Sequence, residues 1–262
     1  MILTDGGEEA DIFEGLRSPG LFRLALEWRL PWEFGAMMAA LPLLRRAPRG
    51  DGHPVVVFPG LLAHDATTWA LRRYLHDRGY DAHPWGEGFN LGPDDALVAR
   101  FAARVGQLRA TAGMKVSLIG WSLGGVYARE VAKVAADDVR CVITLASPFT
   151  GHPKANNAWR IFEIASQRKV AEPKRFAALR RAPPVPTTSI YSKSDGIVAW
   201  QCSLEKAGPQ TENIEVESSH CGMGMNPLAL YAIADRLAQP EGSWRPFERR
   251  GLRRVAYRKP RG

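Results

Sequence analysis

Val116-Ser117-Leu118-Ile119-Gly120-Trp121-Ser122-Leu123-Gly124-Gly125 is the stretch on which the fold turns. A short apolar run, suited to a buried strand, leads into Gly-x-Ser-x-Gly, and Gly124 to Ala136 then carries a helical pattern. Strand, glycine-bounded serine and helix in that order place Ser122 on a sharp turn with its hydroxyl projecting outward. The glycines leave room where side chains would strike the strand and the helix. A plainer reading makes Ser122 a helix cap, but that leaves the rest of the pattern unexplained.

On the amino side, Val55-Val56-Val57-Phe58 is a second short apolar run, ending in Pro59-Gly60, as expected of a central parallel strand opening into a tight loop. Thr67–Arg78 reads as a helix, Tyr80–His83 as a strand, and Asp94–Thr111 as an amphipathic helix. On the carboxyl side Val139–Leu145, Thr187–Tyr191 and Ile214–Glu217 read as strands, and Pro227–Gln239 as the last helix. Alternating strands and helices predict an α/β domain, a mainly parallel sheet with helices on both faces. The rhythm pauses between β-type segments at 149–186, which reads as a small cap insertion. The expected organisation is thus a helical extension and linker over 1–52, the α/β domain over 53–244, and a basic tail over 245–262.

Residues 21–46 are rich in apolar side chains at helical spacing, with Pro31 and Pro42 as expected breaks. The plain reading is a helical pair packed on the main domain; a substrate-entrance wall or membrane-facing patch is the alternative.

Composition restricts the function classes. The 262 residues are 45% hydrophobic and 24% charged, enough for one substantial core. The formal charge of +8 is local, because eight basic residues lie between Arg245 and Arg261 against the single acid Glu248. A solvated basic terminus, or one touching an anionic surface or partner, fits this better than specific nucleic-acid binding. The start of the chain is acidic, with no basic head and compact apolar run of a secretory leader, and no apolar stretch approaches the ~20 residues of a membrane span. The cytoplasm is the expected location. Cys141, Cys202 and Cys221 do not form ligand-spaced pairs, so neither disulfides nor a metal is expected, although Cys221 follows His220.

A serine nucleophile needs a base, an acid to orient it, and donors for the oxyanion. Only His152 and His220 follow Ser122. His220 lies in a loop after the last strand, where its imidazole can reach over the sheet edge; His152, at the start of the cap, is the rival. Asp195, in Ser192-Lys193-Ser194-Asp195-Gly196 after the Thr187–Tyr191 strand, is the expected acid. Asp137 and Asp138 are alternatives placed toward the wrong end of the next strand. The backbone N–H of Leu123 and that of Leu61 are the expected oxyanion donors, with Leu62 replacing Leu61 if the turn differs. Leu62, Trp121, Phe149 and Trp159, with Leu61 and Leu123, are candidates for an apolar substrate surface.

Phe58-Pro59-Gly60-Leu61, Gly120-Trp121-Ser122-Leu123-Gly124-Gly125, Ser194-Asp195-Gly196-Ile197-Val198 and Ser219-His220 together resemble the α/β-hydrolase superfamily, nearest to bacterial lipases and esterases. The resemblance covers about residues 53 to 239. Where those lipases usually carry His-Gly in the oxyanion loop, this chain has Pro59-Gly60. The resemblance implies an α/β-hydrolase fold and a serine carboxylester hydrolase with Ser122 as nucleophile, Asp195 as acid, His220 as base, and Leu61 and Leu123 as oxyanion amides. It implies a small-molecule or lipid ester as substrate and no cofactor. Acyl transfer to an alcohol or thiol is the alternative chemistry, and a non-catalytic binding protein the alternative from another class.

Overall fold

The structure, a computed structural model, describes residues 18–92, 96–150, 157, 178–251 and 253–258. Strands β1 (Pro54–Phe58), β2 (Asp81–His83), β3 (Val116–Trp121), β4 (Val139–Leu145), β5 (Thr187–Tyr191) and β6 (Thr211–Glu215) form one sheet in the order β2-β1-β3-β4-β5-β6. Every pairing is parallel. The chain steps outward from β1 to β2, then returns past β1 to β3 and continues to β6. The direction of winding therefore reverses between β1 and β3, and a crevice opens at their carboxyl ends.

Period-two alternation divides the core into two layers. Val55, Val57, Ile119, Ile143 and Ile190 face helices α2 (Leu30–Leu44), α3 (Trp69–Asp77) and α6 (Pro227–Leu237). Val56, Phe58, Leu118 and Val142 face α4 (Leu97–Ala112) and α5 (Leu123–Val134). Strand β1 is buried throughout, which is why it reads as an unbroken apolar run. This is the α/β-hydrolase architecture, with the cap insertion between β4 and β5. Most of the cap lies outside the described residues.

Several boundaries differ from expectation, each for a local reason. The last strand begins at Thr211 rather than Ile214, because Thr211-Glu212-Asn213 is the polar half of an edge strand. Its Glu212 accepts from Thr188 Oγ1 at 2.9 Å and from Arg236 at 2.9 Å. The expected break at Pro42 does not occur. Pro42 lies in the last turn of α2, where it removes only the bond to the Met38 carbonyl, and Met38 is exposed enough for water to replace it. A short helix α1 (Leu21–Ala25) and a 3-10 turn at Leu26–Arg29 precede α2. Helix α6 begins where Asn226-Pro227 predicts, with the Asn226 side chain accepting from the Leu228 and Ala229 amides.

Three polar assemblies brace this frame. His53, at the entrance to β1, joins Asp51 Oδ1 at 2.5 Å to Ser117 Oγ at 2.8 Å, tying β1 to β3 at their amino ends. Burial pushes the His53 pKa down, and Ser117 is wholly buried, so this row of Asp51, His53 and Ser117 serves as a latch. Arg129 on α5 forms an ion pair with Glu205, both almost fully buried, and its guanidinium lies 3.8 Å from the Phe149 ring centre. Finally, the tail returns to the body. Tyr257 is buried, donates to the Leu228 carbonyl at 2.8 Å and packs edge-on against Phe247, while Arg258 bridges to Glu215. The basic tail is thus anchored as far as Arg258, while Arg245, Arg250, Arg254 and Arg258 keep their side chains exposed.

Two stability outcomes follow. Removing one member of a buried ion pair strands the other charge, so Glu205→Ala is expected to lower unfolding free energy by about 3–5 kcal/mol in urea titration. Combining Arg129→Met with Glu205→Leu is expected to recover most of that loss. Tyr257→Phe removes one buried hydrogen bond and is expected to cost about 1 kcal/mol, whereas Tyr257→Ala also opens a cavity and is expected to cost about 3–5 kcal/mol.

Candidate active site

The crevice between β1 and β3 is built by close backbone approach. Phe58 of β1 is in register with Gly120 of β3, so Pro59-Gly60-Leu61 and Trp121-Ser122-Leu123 leave the sheet side by side. Ser122 has φ 53° and ψ −123°, between the end of β3 and the first residue of α5. That conformation is strained for a residue with a Cβ, by about 1–3 kcal/mol, and persists because the surroundings over-determine it. The Ser122 N–H is held by the Leu145 carbonyl at 2.8 Å, and its own carbonyl accepts from Gly125 N at 3.0 Å. A Cβ at Gly120 would lie 2.3 Å from the Gly124 carbonyl oxygen, and one at Gly124 would lie 2.4 Å from that of Phe58. Any larger residue at either position would force the turn apart.

The opposite wall separates the two candidate amides, Leu61 and Leu62. The Leu62 N–H donates to the Asn90 carbonyl at 2.7 Å and is already engaged, and Leu62 itself has φ 57°. No acceptor is found for the Leu61 N–H among the described residues. Asn90, wholly buried, returns its N–H to the Ala63 carbonyl at 2.8 Å and its side-chain amide to the Pro59 carbonyl at 3.0 Å. The sequence reading missed Asn90. Its only signal was the glycine-spaced run Gly86-Glu87-Gly88-Phe89-Asn90-Leu91-Gly92 after β2. Leu123 is the first residue of α5, so its N–H is among those a helix leaves without an internal partner.

The candidate acid and base, Asp195 and His220, come from neighbouring loops after β5 and β6. Asp195 Oδ2 lies 2.8 Å from His220 Nδ1. Asp195 Oδ1 accepts from the Ile197 and Val198 amides, both at 2.8 Å, so the carboxylate is fixed at both oxygens. Trp121 Nε1 donates to the His220 carbonyl at 3.0 Å, binding the residue before Ser122 directly to the His220 loop. Asp195 and His220 are both buried. Burial disfavours a charged imidazole, but the Asp195 charge and hydrogen bond, then the Glu27 charge, outweigh it, and the His220 pKa is raised.

Other sequence candidates separate from this centre. Asp138 pairs with Arg109 at 2.5 Å and passes its carbonyl to the first residue of β3, at the opposite end of the strands. Asp137 is exposed. Phe149 is 1% exposed and packs on Arg129, so its ring is in the wall rather than at the surface. Leu62 is exposed, as are Phe89 and Leu91 on either side of Asn90. His152 and Trp159 lie outside the described residues. Burial pushes the Cys221 thiol up to about 12, and among the described residues no cluster of three metal-ligating side chains is found.

Glu27 and Glu33, from the N-terminal helices, reach into the same loops. Glu27 accepts from the Gly196, His220 and Cys221 amides, and Glu33 from the Ser218 hydroxyl and the Ser219 amide and hydroxyl. The sequence reading, attending to apolar periodicity, passed over both.

Comparison with known proteins bears on the fold. The fold is similar to that of Aspergillus fumigatus lipase B, with 19% identity over 73% of this chain and 54% of that one and a TM-score of 0.58; this chain spans about half that lipase's length. It is also similar to Bacillus licheniformis lipase BlEst2, with 17% identity over 74% of this chain and 95% of that one and a TM-score of 0.55. A pyrethroid hydrolase from Sphingobium faniae JZ-2 gives 21% identity over 72% and 98% of the two chains, with a TM-score of 0.52. No curated protein matches the sequence. Residues 19–257 match the alpha/beta hydrolase family, and with nearly the whole chain covered, this protein belongs to it.

Proposed function

We propose that this protein is a serine carboxylester hydrolase working through an acyl-enzyme, with Ser122 as nucleophile, His220 as general base and Asp195 as the orienting acid. The observation that carries the reading is the 2.8 Å contact of Asp195 Oδ2 with His220 Nδ1, on loops tied by Trp121 to the strained Ser122 turn. His220 takes the Ser122 proton as Oγ attacks the ester carbonyl. The oxyanion is met by the amides of Leu123 and Leu61. Protonated His220 then gives its proton to the departing alcohol, leaving acyl-Ser122. Water, deprotonated by the same imidazole, releases the acid and restores the serine. Asp195 keeps the Nδ1 proton facing itself, so Nε2 remains the basic nitrogen.

Exposed Leu62, Phe89 and Leu91 beside the oxyanion loop, with half-buried Trp121, support hydrophobic or short-chain esters as the substrate class. The lipase and esterase names among the structural relatives point the same way.

A fluorophosphonate probe is expected to label the wild-type protein and not Ser122→Ala; equal labelling of both would sink the nucleophile. Hydrolysis of p-nitrophenyl esters, screened by acyl length, is expected to fall about 10⁴–10⁶-fold in Ser122→Ala and about 10⁴-fold in Asp195→Asn, which presents the wrong tautomer. Release of free acid is expected to exceed transfer to added alcohols or thiols; the reverse would make the protein an acyltransferase. The base must be neutral to act, so a raised His220 pKa moves the acidic limb of kcat/KM upward. Its midpoint is expected above the ordinary histidine value of about 6.5, and a midpoint below it would contradict the assigned base.

A further inference from the structure

The turns around Trp28 and Trp32 set apolar side chains outward and carboxylates inward. Trp28 and Trp32 are 86% and 80% exposed, yet the carboxylates of Glu27 and Glu33, on the same turns, point inward. Polar side chains facing the protein beneath outward tryptophans require specific partners, and the partners are the two loops that carry Asp195 and His220. Glu27 Oε1 accepts from Gly196 N at 2.8 Å and from His220 N at 2.9 Å, while Oε2 accepts from Cys221 N at 2.9 Å. One carboxylate thus joins the residue after the acid to the base itself. Arg29 donates to Ser194 Oγ at 2.7 Å, and Ser194 Oγ donates to the Ser218 carbonyl at 3.1 Å, making a second bridge between the loops. Glu33 accepts from Ser219 N at 2.7 Å, immediately before the base. The fit is tight, since a Cβ at Gly196 would lie 2.2 Å from the Arg23 carbonyl oxygen.

We propose that Glu27 is a positioning residue whose carboxylate holds the Asp195 and His220 loops in catalytic register, making the N-terminal helical segment a working part of the active site. The inference rests on the acid and base roles assigned above. Backbone N–H bonds to a carboxylate are charge-assisted and directional, and a displacement of the imidazole by about 1 Å is enough to cost about 10²-fold in rate. Glu27 also acts at a distance. The charged groups around His220 are Asp195, from the β5 loop, and Glu27, from the N-terminal turn. Glu33 and Arg29 lie farther out and face each other at 3.8 Å. Both nearer carboxylates favour the imidazolium that forms as Ser122 loses its proton.

The test uses the full chain with Glu27→Gln and Glu27→Asp. The amide keeps the size but loses the charge and one acceptor, so kcat on a p-nitrophenyl ester is expected to fall about 10- to 100-fold, with KM within about twofold. The acidic limb of the pH profile is expected to move to lower pH, because a negative charge favouring the imidazolium is gone. Glu27→Asp keeps the charge on a shorter arm, so kcat is expected to fall while the limb stays near its wild-type position. A folded Glu27→Gln with unchanged kcat and limb overturns the proposal; if that variant does not fold, unchanged kcat in Glu27→Asp overturns it. Wild-type protein that resists the fluorophosphonate probe overturns the underlying triad and this role with it. Probe labelling that depends on Ser122, with neither Glu27 variant slowed, overturns the positioning role alone.

Discussion

Parallel pairing of β1 with β3 is the constraint on which the rest of the molecule depends. It sets Phe58 opposite Gly120, so two loops leave the sheet in contact. A Cβ at Gly60 would sit 3.2 Å from that of Ser122, a spacing that leaves room for backbone and little else. The positive φ of Ser122 is tolerable only because neighbouring strands, the start of α5 and the Leu145 carbonyl all fix the turn at once. The latch of Asp51, His53 and Ser117 at the other end of the same strands prevents the pair from sliding. A one-residue slip would move the crevice and exchange the two core layers.

Around that crevice the fold uses buried and half-buried polar groups to hold loops rather than to stabilise the core. Asn90 fixes the loop after β1, Asp195 fixes its own turn with one oxygen and His220 with the other, and Glu27 and Glu33 grip the loops after β5 and β6. Each of these side chains answers backbone amides or carbonyls that have no strand to pair with. Loops carrying chemistry need such support, because a rigid sheet positions only their first residues.

The N-terminal segment illustrates how periodicity misleads. Apolar residues at helical spacing predicted a helical pair covering the core, and Met37 and Leu44 do pack there. Leu21, Phe22, Trp28 and Trp32 instead face outward, and around the two tryptophans the inward side is occupied by the Glu27 and Glu33 carboxylates bound to the loops after β5 and β6. Hydrophobic pattern identifies an element and one of its faces. It does not show which face meets the protein when polar groups have stronger claims on the contact.

The alternation of apolar strands with amphipathic helices determined the layered α/β architecture, and Gly-x-Ser-x-Gly between β3 and α5 determined the sharp turn, because both follow from rules acting within a few residues. The placement of Asp195 and His220, each in a loop just beyond a strand, was legible for the same reason. Tertiary structure alone decided that Leu62 has spent its amide on Asn90, that Phe149 lies behind Arg129, that Tyr257 brings the tail home, and that Glu27 reaches His220 across 193 positions of sequence. Those outcomes depend on which backbone groups are left unpaired once the sheet has closed, and no local pattern records that.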